Sequence, residues 1–156
     1  MAKYRGLSIS ELKKLKKEFI DFLIVNGISA EEWENILKND SETANQTLDL
    51  FSDVVFESIL SNIKFLEKRA PKFVYVYQCH QDEIVLVGLK IDGDDEVDFS
   101  NSEMLSSYML TPPDGLKVFT SSKKYLKTRN EELFQMLEND CVITDSNLFK
   151  ALCLSL

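Results

Sequence analysis

The stretch LDLFSDVVFESILSNIKFLEKR, Leu48 to Arg69, decides how the rest of the chain is read. At 3.6 residues per turn, Leu48, Phe51, Val55, Ile59, Ile63 and Leu66 fall on one helical face, and Leu50, Val54, Phe56 and Leu60 widen it on both flanks. Asp49, Asp53, Glu57, Ser61, Lys64 and Lys68 form a polar strip. A helix so apolar needs neighbours on several sides, which makes it the expected spine of the fold. Ser41, Thr43 and Thr47 each suit its N-cap, with a start expected between Thr43 and Thr47. Lys68 and Arg69 suit the negative end of the helix dipole, and Pro71 bars continuation, so the helix is predicted to run to about residue 69.

Upstream, Ser8 and Glu11 form an S-x-x-E capping box. Leu12, Leu15, Phe19, Phe22 and Leu23 then recur at helical spacing until Gly27, predicting one helix from Ile9 to Asn26. Lys13, Lys14, Lys16 and Lys17 form its outer, solvated side. Ser29 and Glu32 repeat the box ahead of a shorter helix whose Trp33, the only tryptophan, is expected to anchor it to the spine.

Downstream, FVYVYQC (Phe73 to Cys79) and EIVLVGLKI (Glu83 to Ile91) are rich in β-branched and aromatic residues and are separated by a short polar turn, so an antiparallel hairpin is expected. Both of its faces are apolar, which predicts cover on both sides, by helices or by helices and a second subunit. Ser102 to Leu110 is expected to be helical, Leu116 to Thr120 a third strand, and Val142-Ile143 an edge strand. Short helices follow Thr128 and Thr144 or Asp145. The fold class is α+β: a small, mainly antiparallel sheet on an N-terminal three-helix layer, with short C-terminal helices. One compact domain, 1–156, is expected, with the helical layer in 1–70 and the sheet in 71–156.

The whole-chain composition bounds the function classes. Of 156 residues, 44% are hydrophobic and 28% charged, and five glycines with three prolines leave little material for linkers. No stretch has the apolar core of a signal peptide or the length of a membrane span, so a cytoplasmic protein is expected. Cys79, Cys141 and Cys153 are odd in number and widely spaced beside a single histidine, which points to reduced thiols rather than a disulfide framework or zinc site. The net charge of -8 argues against nucleic acid and anionic membranes as partners. Charge is segregated: residues 1–17 sum to +5 and 114–129 to +4, against -9 for 18–60 and -7 for 82–103. Unlike blocks of this kind neutralise each other within a fold or mark an electrostatic partner surface.

Three constellations carry potential chemistry. Counting Asp92 as position one, Asp94, Glu96, Asp98, Ser100 and Glu103 fall at the oxygen-ligand offsets of a calcium loop, but position six is Val97 where glycine belongs and the preceding element reads as a strand. An acidic surface turn accounts for the same residues. Asp49, Asp53 and Glu57 stack at four-residue intervals on the spine and, with Glu31, Glu32 and Glu34, suit magnesium-assisted phosphate chemistry. The E-x-x-E and E-x-x-D pairing of helical pyrophosphohydrolases is only half present, in Glu31 and Glu34, and a solvated strip explains the rest. Ser121, Ser122, Lys123, Lys124, Lys127 and Arg129 form a hydroxyl-and-cation cluster suited to phosphate, without the glycines of a phosphate-binding loop. His80 stands beside Cys79, but neighbours on a strand point to opposite faces, so no nucleophile pair is read there.

Several short stretches, Lys3 to Ser8 (KYRGLS), Glu18 to Leu23 (EFIDFL), Ala30 to Trp33 (AEEW), Asp49 to Asp53 (DLFSD) and Cys141 to Thr144 (CVIT), resemble a family of short bacterial proteins of unknown function. The resemblance implies a stand-alone bacterial cytoplasmic domain; the family has no established activity, ligand or catalytic residues to carry over to this chain. The expectation is a non-catalytic interaction or regulatory module that self-associates or binds a protein partner and needs no cofactor. The alternative is a magnesium-dependent enzyme or a binder of a phosphate-bearing small molecule.

Overall fold

The computed structural model describes residues 1–93 and 96–156. Among them the chain has seven helices and one five-stranded antiparallel sheet, an α+β fold, and falls into two compact units, Met1–Ser61 and Asn62–Leu156.

The first unit is helical: α1 (Ile9–Lys14), α2 (Lys16–Val25), α3 (Ala30–Asn39) and α4 (Ser41–Ser61). The Ser8–Glu11 capping box forms as the spacing requires. The single helix predicted from Ile9 to Asn26 is divided at Leu15, where φ -102° and ψ 21° leave the helical region and the N–H is shared between the carbonyls of Glu11 and Leu12. Gly27 closes α2 at φ +71°, allowing Ile28 to donate back to the Leu23 carbonyl at 2.9 Å. Ser29 caps α3 through Glu32 N–H at 3.1 Å. The spine starts earlier than Thr43: Asp40 accepts from the N–H and the hydroxyl of Thr43 at 3.1 and 2.7 Å, which opens α4 at Ser41.

An aromatic chain holds this unit together. Phe51 of α4 meets Phe19 and Phe22 of α2 at ring separations of 5.0 and 5.4 Å, and Trp33 of α3 sits edge-on to Phe19 at 5.1 Å. Trp33 is therefore anchored to the spine by way of Phe19. The buried line of α4 is Ala44, Thr47, Phe51, Ser52, Phe56 and Leu60, whereas Leu50, Val54 and Ile59 are exposed. The apolar circumference read from the sequence is thus covered on one side of the helix only.

The second unit carries β1 (Phe65–Ala70), β2 (Phe73–Cys79), β3 (Glu83–Ile91), α5 (Ser102–Leu110), β4 (Leu116–Lys124), α6 (Arg129–Glu138), β5 (Val142–Thr144) and α7 (Asn147–Cys153), with strands ordered β4-β3-β2-β1-β5. The helix predicted to reach residue 69 ends at Ser61, and FLEKRA is a strand. The helical layer accordingly stops short of residue 70. The cause is non-local: β1 pairs on both sides, Leu66 opposite Tyr77 and Ile143, so sheet hydrogen bonds replace helical ones. Leu66 is fully buried in that arrangement.

The hairpin forms as read, Val76 opposite Val87 and Val74 opposite Leu89, and β4 extends past Thr120 to Lys124. On one sheet face Val74, Val76, Val87, Leu89 and Ile91 form a core with Leu105 of α5, Leu152 of α7 and the loop residues Val97 and Phe99. On the other, Leu66, Cys79 and Ile84 are buried while Phe73, Tyr75, Tyr77 and Phe119 are half-buried. Gly88 lies opposite Phe119 and is the one mid-strand glycine with a packing reason, since a Cβ there would stand 2.8 Å from Cε2 of the ring.

Candidate functional site

The acidic strip Asp49, Asp53 and Glu57 is the first place to look, and the N-terminal segment of the same unit lies on it. The Lys3 N–H donates to Asp53 Oδ1 at 2.7 Å, Lys3 Nζ to Glu57 Oε1 at 3.0 Å, and the Tyr4 hydroxyl to the same Glu57 oxygen; the Met1 nitrogen stands 3.5 Å from Asp49. Tyr4 packs on Phe56 at 6.0 Å, and the Arg5 guanidinium lies 4.8 Å from the Phe56 ring centre. Ser52, buried in mid-helix, donates its hydroxyl to the Arg5 carbonyl. Arg5 also grips Glu11 through both carboxylate oxygens, at 2.9 and 3.1 Å, fastening the segment to α1. Burial, helped by the Glu57 hydrogen bond, pushes the Tyr4 hydroxyl up to about 12. The Arg5 hydrogen bond and the Ser8 N–H pull Glu11 down to about 2. The carboxylates read as a magnesium strip therefore serve as the seat of a structural strap. Glu31 and Glu32, on α3, are exposed and take part in that helix's first turn, Glu32 through its bonds with Ser29.

The hydroxyl-and-cation cluster is dispersed by strand geometry. Because β4 runs on to Lys124, Ser121 and Lys123 point to one face and Ser122 and Lys124 to the other. Lys123 stands 3.7 Å from Glu132. That buried glutamate also accepts from the N–H groups of Leu126 and Lys127, which turns the loop into α6 and leaves Lys127 on its exposed side. Arg129 is a structural tie. Its guanidinium donates to the carbonyls of Ile63 at 2.6 Å, His80 at 3.0 Å and Cys79 at 3.2 Å, binding α6 to the entry of β1 and the turn after β2. A planar fork of five donors suits three converging carbonyls.

The acidic loop is likewise built around its apolar residues. Val97 and Phe99 are buried in the sheet core, and the loop is pinned by Phe99 N–H to the Pro71 carbonyl at 2.9 Å and by Lys72 Nζ to the Val97 carbonyl at 2.9 Å. Asp98 spends its carboxylate on the N–H and hydroxyl of Ser100, which pull its pKa below the usual carboxylate value. Asp92 pairs with Lys117 at 3.6 Å. Glu103 lies in the first turn of α5, where Asn101 supplies the cap. Asp94 lies outside the described residues. Among the described residues no three His, Cys, Asp or Glu side chains gather as a metal-holding group.

The helical unit also carries open apolar surface. Between α2 and α4 runs an open groove of about 630 Å³, with Phe22, Phe51 and Val55 in its lining and the exposed Val25, Val54 and Ile59 along it. A second, of about 450 Å³, lies between α2 and α3 beside Phe19, Ile20, Ile24 and Trp33. Ile20 and Ile24 are exposed. The over-wide apolar surface of the spine, which asks for more cover than the chain's short helices supply, is the sequence signal for this open surface; Leu50, Val54 and Ile59 are its exposed part. In the sheet unit a pocket of about 370 Å³ opens near Tyr108, Pro112 and Leu116. Among the described residues no helix is long and apolar enough to cross a membrane.

The model of a family of unknown function, DUF6495, matches residues 1–156, and the chain belongs to that family. No curated protein and no solved structure matches it.

Proposed function

We propose that this member of a family without an assigned activity is a non-catalytic interaction module of the bacterial cytoplasm, which presents the apolar grooves of its helical unit to another polypeptide chain. The observation that carries the reading is the α2/α4 groove, where Val25, Val54 and Ile59 stand 84%, 54% and 42% exposed along one continuous channel. Contiguous apolar surface of this kind costs solvation free energy in a free chain and returns it on association, at roughly 25 cal/mol per Å² covered. A binding role is favoured over phosphate or magnesium chemistry by the employment of the candidate groups elsewhere: Asp53 and Glu57 hold the chain's own N-terminal segment, and Arg129 holds three carbonyls. The reading calls for no cofactor. A cytoplasmic setting fits three free thiols, two of them buried.

The test is a thermal-shift panel of nucleotides, sugar phosphates, magnesium and calcium on the full chain, with sedimentation across the micromolar range. The module predicts a flat panel, since a ligand at a hundred times its dissociation constant would stabilise by roughly 2.7 kcal/mol. A clear upward shift with magnesium or a nucleotide would favour the enzymatic alternative. Sedimentation reports whether a second copy fills the groove.

A further inference from the structure

Resting on that reading of the helical unit, we infer that the α2/α4 groove takes a cationic amphipathic helix from a partner polypeptide. The groove follows α2, whose ten residues span about 15 Å, so it accommodates roughly three turns of a bound helix. Its interior is apolar, and a bound helix meets it with residues at i, i+3, i+4 and i+7. Charge then sets the partner's chemistry. Glu18 and Asp21 lie one turn apart in the groove lining and hold neither an ion pair nor a hydrogen bond among the described residues. On α4, Asp53 and Glu57 face the strap instead, through the Lys3 and Tyr4 contacts. No lysine or arginine lines the groove, so the charged side chains in its lining are of one sign, Glu18 and Asp21. A helix that places Lys or Arg one turn apart beside its leucine stripe satisfies both carboxylates while its apolar residues cover Val25, Val54 and Ile59. A second copy fits less well, because its own groove face carries the same two carboxylates and like charges would meet.

The probe is a fluorescein-labelled amphipathic peptide of leucine and lysine, about four turns long, titrated against the full chain by anisotropy at low and high salt; a leucine–glutamate peptide with the same stripe is the control. Saturable binding of the cationic peptide is expected, with the acidic control at least about tenfold weaker, equivalent to roughly 1.4 kcal/mol. Val54→Asp is expected to weaken binding about tenfold or more. Because that change makes the chain more acidic, mere attraction between a cationic peptide and an acidic protein would move the other way. Val25→Asp repeats the test at an independent position, with circular dichroism reporting the fold. Glu18→Gln with Asp21→Gln should lower affinity and flatten its salt dependence. Equal binding of both peptides, no binding of the cationic one, or binding indifferent to Val54→Asp and Val25→Asp overturns the inference. A dimer of the chain alone that Val54→Asp dissolves also overturns it, while leaving the interaction module intact.

Discussion

The main-chain N–H of Lys3 donates to Oδ1 of Asp53 at 2.7 Å, a hydrogen bond between residues fifty apart in sequence. With the Lys3 and Tyr4 side chains on Glu57 and the Arg5 carbonyl on Ser52, it makes residues 3–5 a strap along α4. Asp53→Ala should therefore lower the urea midpoint by an amount equivalent to about 0.5–1.5 kcal/mol, the scale of a partly exposed hydrogen bond to a charged group. Ser52→Ala should cost a similar amount, because it leaves the Arg5 carbonyl without that donor. Limited proteolysis should cut Asp53→Ala before α1 sooner than it cuts the wild type. Unchanged midpoint and cleavage would mean the strap contributes nothing.

Arg129 gives the largest expected loss. Arg129→Ala removes the donor to the carbonyls of Ile63, Cys79 and His80, and should destabilise by about 2–4 kcal/mol in denaturant unfolding. Arg129→Lys should recover less than half of that, since a single ammonium cannot reproduce the planar fork. A surface phosphate ligand would behave differently, with stability unmoved by either change.

Gly88 and Phe119 form one unit. Gly88→Ala drives a Cβ into the ring and should cost about 1–3 kcal/mol. In the Gly88→Ala/Phe119→Ala double variant the added methyl no longer meets a ring, so the two losses should fall short of additive by more than about 0.5 kcal/mol. Strict additivity would place the strain elsewhere.

The thiols should separate by accessibility and by pH. Cys153 is exposed, so it should react with a disulfide reagent at once near neutral pH, while Cys79 and Cys141 wait for denaturant. Burial raises Cys79 from 9.0 to about 11, so the folded state holds that proton more tightly than the unfolded chain. The associated stability is complete below pH 9 and is lost as pH rises towards 11. Glu11 acts at the other end of the scale: lowered from 4.5 to about 2, it supports the fold above pH 4.5 and ceases to as pH falls through 2. Melting curves across pH 2–11 should decline on both flanks, and Cys79→Ala should soften only the alkaline one.

Local signals carried most of the element assignment. The capping box at Ser8, the Ser29 and Thr128 caps of α3 and α6, and the β-branched runs in β2 and β3 are each complete within a few residues and form where the sequence places them, although at Ser29 the Glu32 carboxylate takes the hydroxyl and not the N–H that a full box requires. The misreadings occur where the deciding contacts are distant. Ile59, Ile63 and Leu66 keep helical spacing through a helix-to-strand junction that holds no glycine or proline, and only pairing with β2 and β5 makes FLEKRA a strand. The strap on Asp53 and Glu57 is invisible to any local window for the same reason. Ser121 to Lys124 alternate across the sheet because β4 continues to Lys124, a strand length that also rests on its pairing with β3. The groove is the instructive case: the excess apolar width of the spine was legible, but whether Val54 and Ile59 are covered depends on where α2 lies.

The central claim, that the α2/α4 groove docks a polypeptide, is tested most directly by methyl-resolved NMR of the full chain titrated with the leucine–lysine peptide. The account predicts saturable shifts concentrated at the methyls of Val25, Val54, Val55 and Ile59, with the sheet-core methyls of Val74, Val76 and Leu89 unmoved. Shifts centred on the sheet, or none at peptide concentrations well above the protein's, would contradict it.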